Sequence, residues 1–199
     1  MILKAALPLL SPFAAADAPA RTRLRLPRLS PEARLRREAA KGGPVVLGTP
    51  AVPYEPAGRS PLAVLEGCEE LEIAVVTRSP EIVRELPLLA ELDRRCSVRV
   101  DLMVPVLAWK LELEAVARLA AEGIAVSVLC PLVAGVNDGE TALRKLLAAA
   151  RDAGAWDVRP LPAPCNRFLA HLRSKPGAGA TFRRLRLEHG FPRGIAGRG

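Results

Sequence analysis

Glu72-Ile73-Ala74-Val75-Val76-Thr77-Arg78-Ser79-Pro80-Glu81 passes without a spacer from an apolar, β-branched run to a helix start. The run Glu72–Thr77 reads as a buried strand. Ser79 is placed to cap a helix, Pro80 fits the first helical turn, and Glu81 complements the positive end of the helix dipole. A strand that feeds a capped helix is half of a βαβ unit, and the neighbouring sequence repeats it. Pro44–Thr49, Val98–Val104, Ile124–Cys130 and Asp157–Leu161 are further candidate strands, mostly rich in Val, Ile and Leu. Helix-length amphipathic runs lie at about 61–70, 80–93, 110–122 and 139–153. Gly123 and Gly154 stand where helices should close before strands. Asn137-Asp138-Gly139-Glu140 should start the last of these helices as Ser79-Pro80-Glu81 starts its own. This alternation predicts an α/β fold with parallel strands.

The chain has 199 residues, half of them hydrophobic, enough for one core. Its net charge of +8 is unevenly distributed. Residues 1–41 carry nine Lys/Arg against three acids, and residues 167–199 carry eight against one. The middle is mildly acidic. We read 1–43 as a basic, partly disordered extension in which Ser30-Pro31-Glu32 starts a short helix through Ala40. Residues 44–175 form the folded unit, and 176–199 a flexible basic tail with a last helix at about 181–189. Arg-rich ends are one way to meet nucleic acid. Aromatic platforms for bases are scarce, at 4% of residues.

Cys68, Cys96, Cys130 and Cys165 show none of the close spacings of zinc or cluster motifs, and no disulfide framework is suggested. A reducing cytoplasm is the expected compartment. Pro8 and Pro12 interrupt the short apolar run at the N-terminus, which argues against a secretory signal, and no apolar run approaches a membrane span. There is no G-x-S-x-G, no P-loop and no G-x-G-x-x-G after a strand. His171 and His189, the two histidines, have no partner at metal spacing.

Gly48-Thr49-Pro50-Ala51-Val52-Pro53-Tyr54-Glu55-Pro56-Ala57-Gly58 resembles the G-T-x-T-D-P-Y-x-P-x-E segment of radical SAM enzymes of the spore photoproduct lyase-like branch. Thr77-Arg78-Ser79 is similar to that branch's T-K-S, and Pro131-x-x-x-Gly135-x-Asn137-Asp138 to its P-x-x-x-G-x-[NT]-D turn. All three stand in family order at the C-terminal ends of strands, where barrel sites are built. The resemblance implies an incomplete (β/α)6-type partial TIM barrel with parallel strands. It also implies a site for S-adenosylmethionine near Thr77, Arg78, Ser79 and Asp101. Tyr54, between two prolines, either plugs the barrel mouth or turns its hydroxyl to a ligand.

The departures fall on polar positions. Val52 stands where the family has Asp, Ala51 where it has Thr, Gly58 where it has Glu, and Arg78 replaces a lysine. Asp101 fills a slot usually held by serine near the methionine end of the ligand. Its carboxylate would repel the ligand's own unless Arg78 neutralises it. No cysteine precedes Cys68, so the Cys-x-x-x-Cys-x-x-Cys loop that holds a [4Fe–4S] cluster in the family has no counterpart. Cys68 and Cys96 should lie at one end of the sheet, Cys130 and Cys165 at the other.

The expected function is therefore that of a degenerate radical SAM-like protein, a binding or scaffold remnant without cluster catalysis. By resemblance, S-adenosylmethionine is its only candidate cofactor, with no metal. Two alternatives stand beside it. One is an active radical SAM enzyme whose cluster loop is missing from this chain. The other is a nucleic-acid-binding protein that uses the Arg-rich ends; no membrane partner is expected.

Overall fold

A computed structural model describes residues 31–56, 60–161 and 177–191. Five strands, β1 (Val45–Leu47), β2 (Glu72–Thr77), β3 (Ser97–Met103), β4 (Ala125–Pro131) and β5 (Asp157–Leu161), form one sheet. Neighbours pair in parallel in the order β1-β2-β3-β4-β5. A sheet that always steps to the same side, through crossovers of one hand, carries its helices on one face. The helices are α1 (Pro31–Ala39), α2 (Leu86–Asp93), α3 (Lys110–Ala121), α4 (Glu140–Asp152) and α5 (Ala178–Glu188). Short 3-10 turns at Pro61–Leu65 and Pro80–Glu85 precede β2 and α2.

The core lies between sheet and helices. Ile73 and Val75, Val98, Val100 and Leu102, Val126 and Val128, and Val158 alternate along their strands and are buried. They meet Leu89 and Leu92 of α2, Val116 and Leu119 of α3, and Leu146 and Leu147 of α4 in one cluster. The opposite alternation, Ala74 and Val76, Arg99 and Asp101, Ser127 and Leu129, Asp157 and Arg159, makes the second face.

The strand and helix positions agree with the alternation, with local differences, and the helix expected at about 61–70 is only the 3-10 turn Pro61–Leu65, capped by Ser60. The candidate strand Pro44–Thr49 shortens to Val45–Leu47 because Gly48 turns the chain at φ +78°. The helix expected over 80–93 is split. Pro87, which lacks an N–H, sits in the first turn of α2, and the residues before it wind as a tighter 3-10 turn. Gly123 and Gly154 close α3 and α4 in the left-handed region. Asp138 does not cap α4; that position is Gly139, with no side-chain hydrogen bond.

Both end helices contribute to the core. Leu35 and Ala39 of α1 are buried, as are Phe182 and Leu185 of α5. The packed unit thus reaches back to α1 and forward to α5, past the boundaries at 43 and 176 read from composition. Among the described residues, no helix is long and apolar enough to cross a membrane.

Candidate functional site

After β1 the chain makes a five-residue excursion and returns to the same ladder. Thr49 N–H donates to Val52 O at 2.8 Å, and Val52 N–H to Thr49 Oγ1 at 3.0 Å. Tyr54 N–H then donates to Val76 O at 2.7 Å, and Tyr54 bridges Thr77 in parallel. Gly48 makes this crossing fit, since any Cβ there would overlap Tyr54 N and Val76 O.

Thr77 and Ser79 serve the backbone. The buried Thr77 hydroxyl donates to Tyr54 O at 2.6 Å and accepts from Ser79 N at 3.0 Å. Ser79 Oγ caps the 3-10 turn, accepting from Glu81 N at 3.3 Å. Thr77 pairs with Leu102, so its side chain lies on the helix-covered face, opposite Asp101. Tyr54 also belongs to the core cluster, and its hydroxyl lies 3.4 Å from both Ser60 Oγ and Glu85 Oε1. Burial, with the nearby Glu85 charge, pushes the Tyr54 phenol above its ordinary value, partly offset by Ser60. Its hydroxyl thus faces Ser60 and Glu85, at the two 3-10 turns.

The partner expected for Asp101 is replaced by two others. Arg78 is exposed at the end of β2 and makes no ion pair among the described residues. Asp101 Oδ1 instead accepts from Arg99 Nε at 3.0 Å and from Arg159 of β5. Arg159 Nε lies 3.7 Å from Asp157 Oδ2, and Asp157 Oδ1 accepts from Arg186 Nε at 2.9 Å and Nη2 at 2.6 Å. This second face thus carries an alternating chain, Arg99–Asp101–Arg159–Asp157–Arg186, running from β3 through β5 to α5. To reach Asp101 from β5, Arg159 must cross β4, where Ser127 sits in register between Asp101 and Asp157. The Ser127 hydroxyl is buried with no hydrogen-bond partner among the described residues.

Sequence reasoning missed this network except for Asp101. A signal existed, since Arg99/Asp101 and Asp157/Arg159 are spaced by two within strands and must each share a face. Which strands meet, and in what register, is not a property of either pair alone.

The Pro131–Asp138 turn closes on itself. Asn137 Oδ1 accepts from Val133 N at 2.7 Å, its Nδ2 donates to Pro131 O at 2.8 Å, and Asp138 Oδ1 accepts from Gly135 N at 2.9 Å. Cys130, beside it, faces the helices, and burial pushes its thiol up to about 12. Cys68 and Cys96 lie before β2 and β3, at the other end of the sheet, with the Cys96 thiol 3.4 Å from Cys68 O. Cys165, His171 and Gly58 lie outside the described residues. Among the described residues no three His, Cys, Asp or Glu side chains gather at metal-binding distance.

The basic end is partly self-neutralised. Arg184 pairs with Glu140 and Glu188, Arg144 with the same two acids, and Arg186 with Asp157. No family model and no curated protein matches the chain.

Proposed function

We propose that this chain is a degenerate radical SAM-like protein, a partial (β/α) barrel kept as a binding or scaffold fold without cluster catalysis. The observation that carries this reading is the placement of the thiols. Cys68 and Cys96 lie at the strand-entry end and Cys130 at the strand-exit end, and a strand of five residues already separates such ends by roughly 17 Å. Three thiolates must converge to hold a [4Fe–4S] cluster with one open iron, so these residues do not fit that group. The residues at the slot for S-adenosylmethionine do not fit it either. Asp101 already accepts from Arg99 and Arg159, so a ligand ammonium would have to displace a guanidinium.

The retained features are those that shape the backbone: Gly48 at its crossing, Thr77 on the Tyr54 carbonyl, and Asn137 and Asp138 in their turn. Among the described residues, the positions altered from the family pattern, Ala51, Val52 and Arg78, hold no such backbone contact by their side chains. Fold constraints and ligand constraints have separated. A cytoplasmic location follows from the cysteine usage.

The test is anaerobic reconstitution with iron and sulfide, followed by metal analysis and equilibrium dialysis against S-adenosylmethionine. Substoichiometric iron and no saturable ligand uptake are expected. A full four-iron cluster on each chain overturns the reading.

A further inference from the structure

Cys68 and Cys96 are 28 positions apart in the chain and end side by side. Cys96 closes the turn after α2, its N–H donating to Leu92 O at 2.8 Å, and Ser97 then enters β3. Cys68 follows the Pro61–Leu65 turn, its N–H donating to Leu65 O at 3.0 Å. Two main-chain bonds tie the entries of β2 and β3 together: Glu70 N–H to Arg95 O at 2.9 Å and Ser97 N–H to Leu71 O at 2.8 Å. Glu70 stands at φ +58°, a conformation that a residue with a side chain keeps only where its surroundings fix it. Backbone bonding therefore sets where the two cysteines meet.

The Cys96 sulfur lies 3.4 Å from the carbonyl oxygen of Cys68. A cysteine's sulfur is only a few covalent bonds from its own carbonyl oxygen, so rotation of the Cys68 side chain governs the gap between the two sulfurs. Cys68 is partly exposed, at the margin of the core cluster, and Cys96 is 9% exposed. Cys130, by contrast, is 1% exposed and lies at the strand-exit end. Reach and access single out one pair among the described thiols.

We propose that Cys68 and Cys96 form a reversible disulfide with hydrogen peroxide as oxidant, a clamp across the entries of β2 and β3. Cys68, the more accessible, reacts first. Its sulfur bonds to one peroxide oxygen as the O–O bond breaks, giving a sulfenic acid, and the other oxygen leaves with the thiol proton as water. The Cys96 sulfur then attacks the Cys68 sulfur. The S–S bond forms, the S–O bond breaks, and the hydroxyl leaves with the Cys96 proton as a second water. The two sulfurs are oxidised by two electrons and the peroxide is reduced by two. Disulfides of a reducing compartment are of this transient kind. The bond uses neither iron nor S-adenosylmethionine, so its failure would leave the function proposed above untouched.

The experiment is peptide mapping of the full chain without reduction, after stoichiometric hydrogen peroxide in buffer and, separately, in concentrated urea. In buffer, two of the four thiols should be lost, one linked peptide pair should hold Cys68 and Cys96, and dithiothreitol should restore both thiols. In urea the pairings should be mixed. The oxidised chain should melt roughly 5–10 °C higher, because the bond closes a loop that contains β2 and α2. In Cys96→Ser, dimedone should trap a sulfenic acid on Cys68, whereas Cys130→Ser should form the clamp as wild type does. The wild-type map decides by itself if either variant fails to fold. The proposal is overturned by the absence of a Cys68–Cys96 peptide in buffer, by the same mixed pairings in buffer as in urea, by no rise in melting temperature, or by no dimedone adduct on Cys68 in folded Cys96→Ser.

Discussion

Arg159 on β5 reaches across β4 to the Asp101 carboxylate on β3, which also accepts from Arg99 at 3.0 Å. The side chain of Asp101 is only 6% exposed, against 31% for Arg99 and 27% for Arg159. The acid is therefore the buried member of the cluster and the arginines its partly solvated shell. Removing one member of a buried pair leaves the others uncompensated.

Asp101→Ala should accordingly destabilise the fold by about 2–4 kcal/mol. Arg78→Gln, at an exposed position with no ion pair among the described residues, should be indistinguishable from wild type. Urea unfolding of both variants measures this. Equal destabilisation by the two would mean that Arg78, not Arg159, is the partner in solution.

Gly48 combines two demands that other glycines separate. Gly42 has φ +67° with open space around it, whereas Gly48 has φ +78° and backbone atoms where a Cβ would go. Gly42→Ala should cost about 1–2 kcal/mol from the left-handed conformation alone. Gly48→Ala should cost clearly more, with loss of the Tyr54 pairing to β2. Denaturant midpoints give the comparison; equal losses would remove the role assigned to the crossing.

Burial raises the Cys130 thiol from 9.0 to about 12. In the unfolded chain the thiol ionises near 9, while in the folded chain it stays protonated. Its contribution is therefore complete below pH 9 and is lost as pH rises from 9 toward 12, at up to about 1.4 kcal/mol per pH unit. Cys130→Ala should lower stability throughout yet flatten its fall between pH 9 and 10.5. An unchanged slope in that window contradicts a buried thiol.

Glu140 and Glu188 are held below the usual carboxylate range by hydrogen bonds, from Arg144 and Arg184 for Glu140 and chiefly from Arg184 for Glu188. Folded values below the ordinary 4.5 mean stability that is present above that pH and lost as pH falls through the lowered values. The group is exposed, so salt should screen it. The melting-temperature difference between wild type and Glu140→Gln should shrink on going from pH 6 to pH 3, and again in 0.5 M NaCl. A difference insensitive to both would show that these residues act through packing.

Periodicity within short windows was enough to locate the five strands and the main helices, because burial on one face imposes a repeat that each segment carries by itself. It also placed Thr77 and Ser79 at a strand exit and Asp101 within a strand. Composition was a poorer guide to the ends. Leu35 and Phe182 enter the core from segments whose charge suggested solvent, since a basic helix can still bury one stripe.

What the sequence determined is local: which residues alternate, where a glycine must turn the chain, and which side chains cap a turn. The tertiary structure decided which charges meet. Arg78 is closer to the Tyr54–Thr77 crossing in sequence, yet Asp101 is paired by Arg159, 58 positions away. Strand register brings residues distant along the chain within hydrogen-bond reach, and no stretch of sequence contains that register.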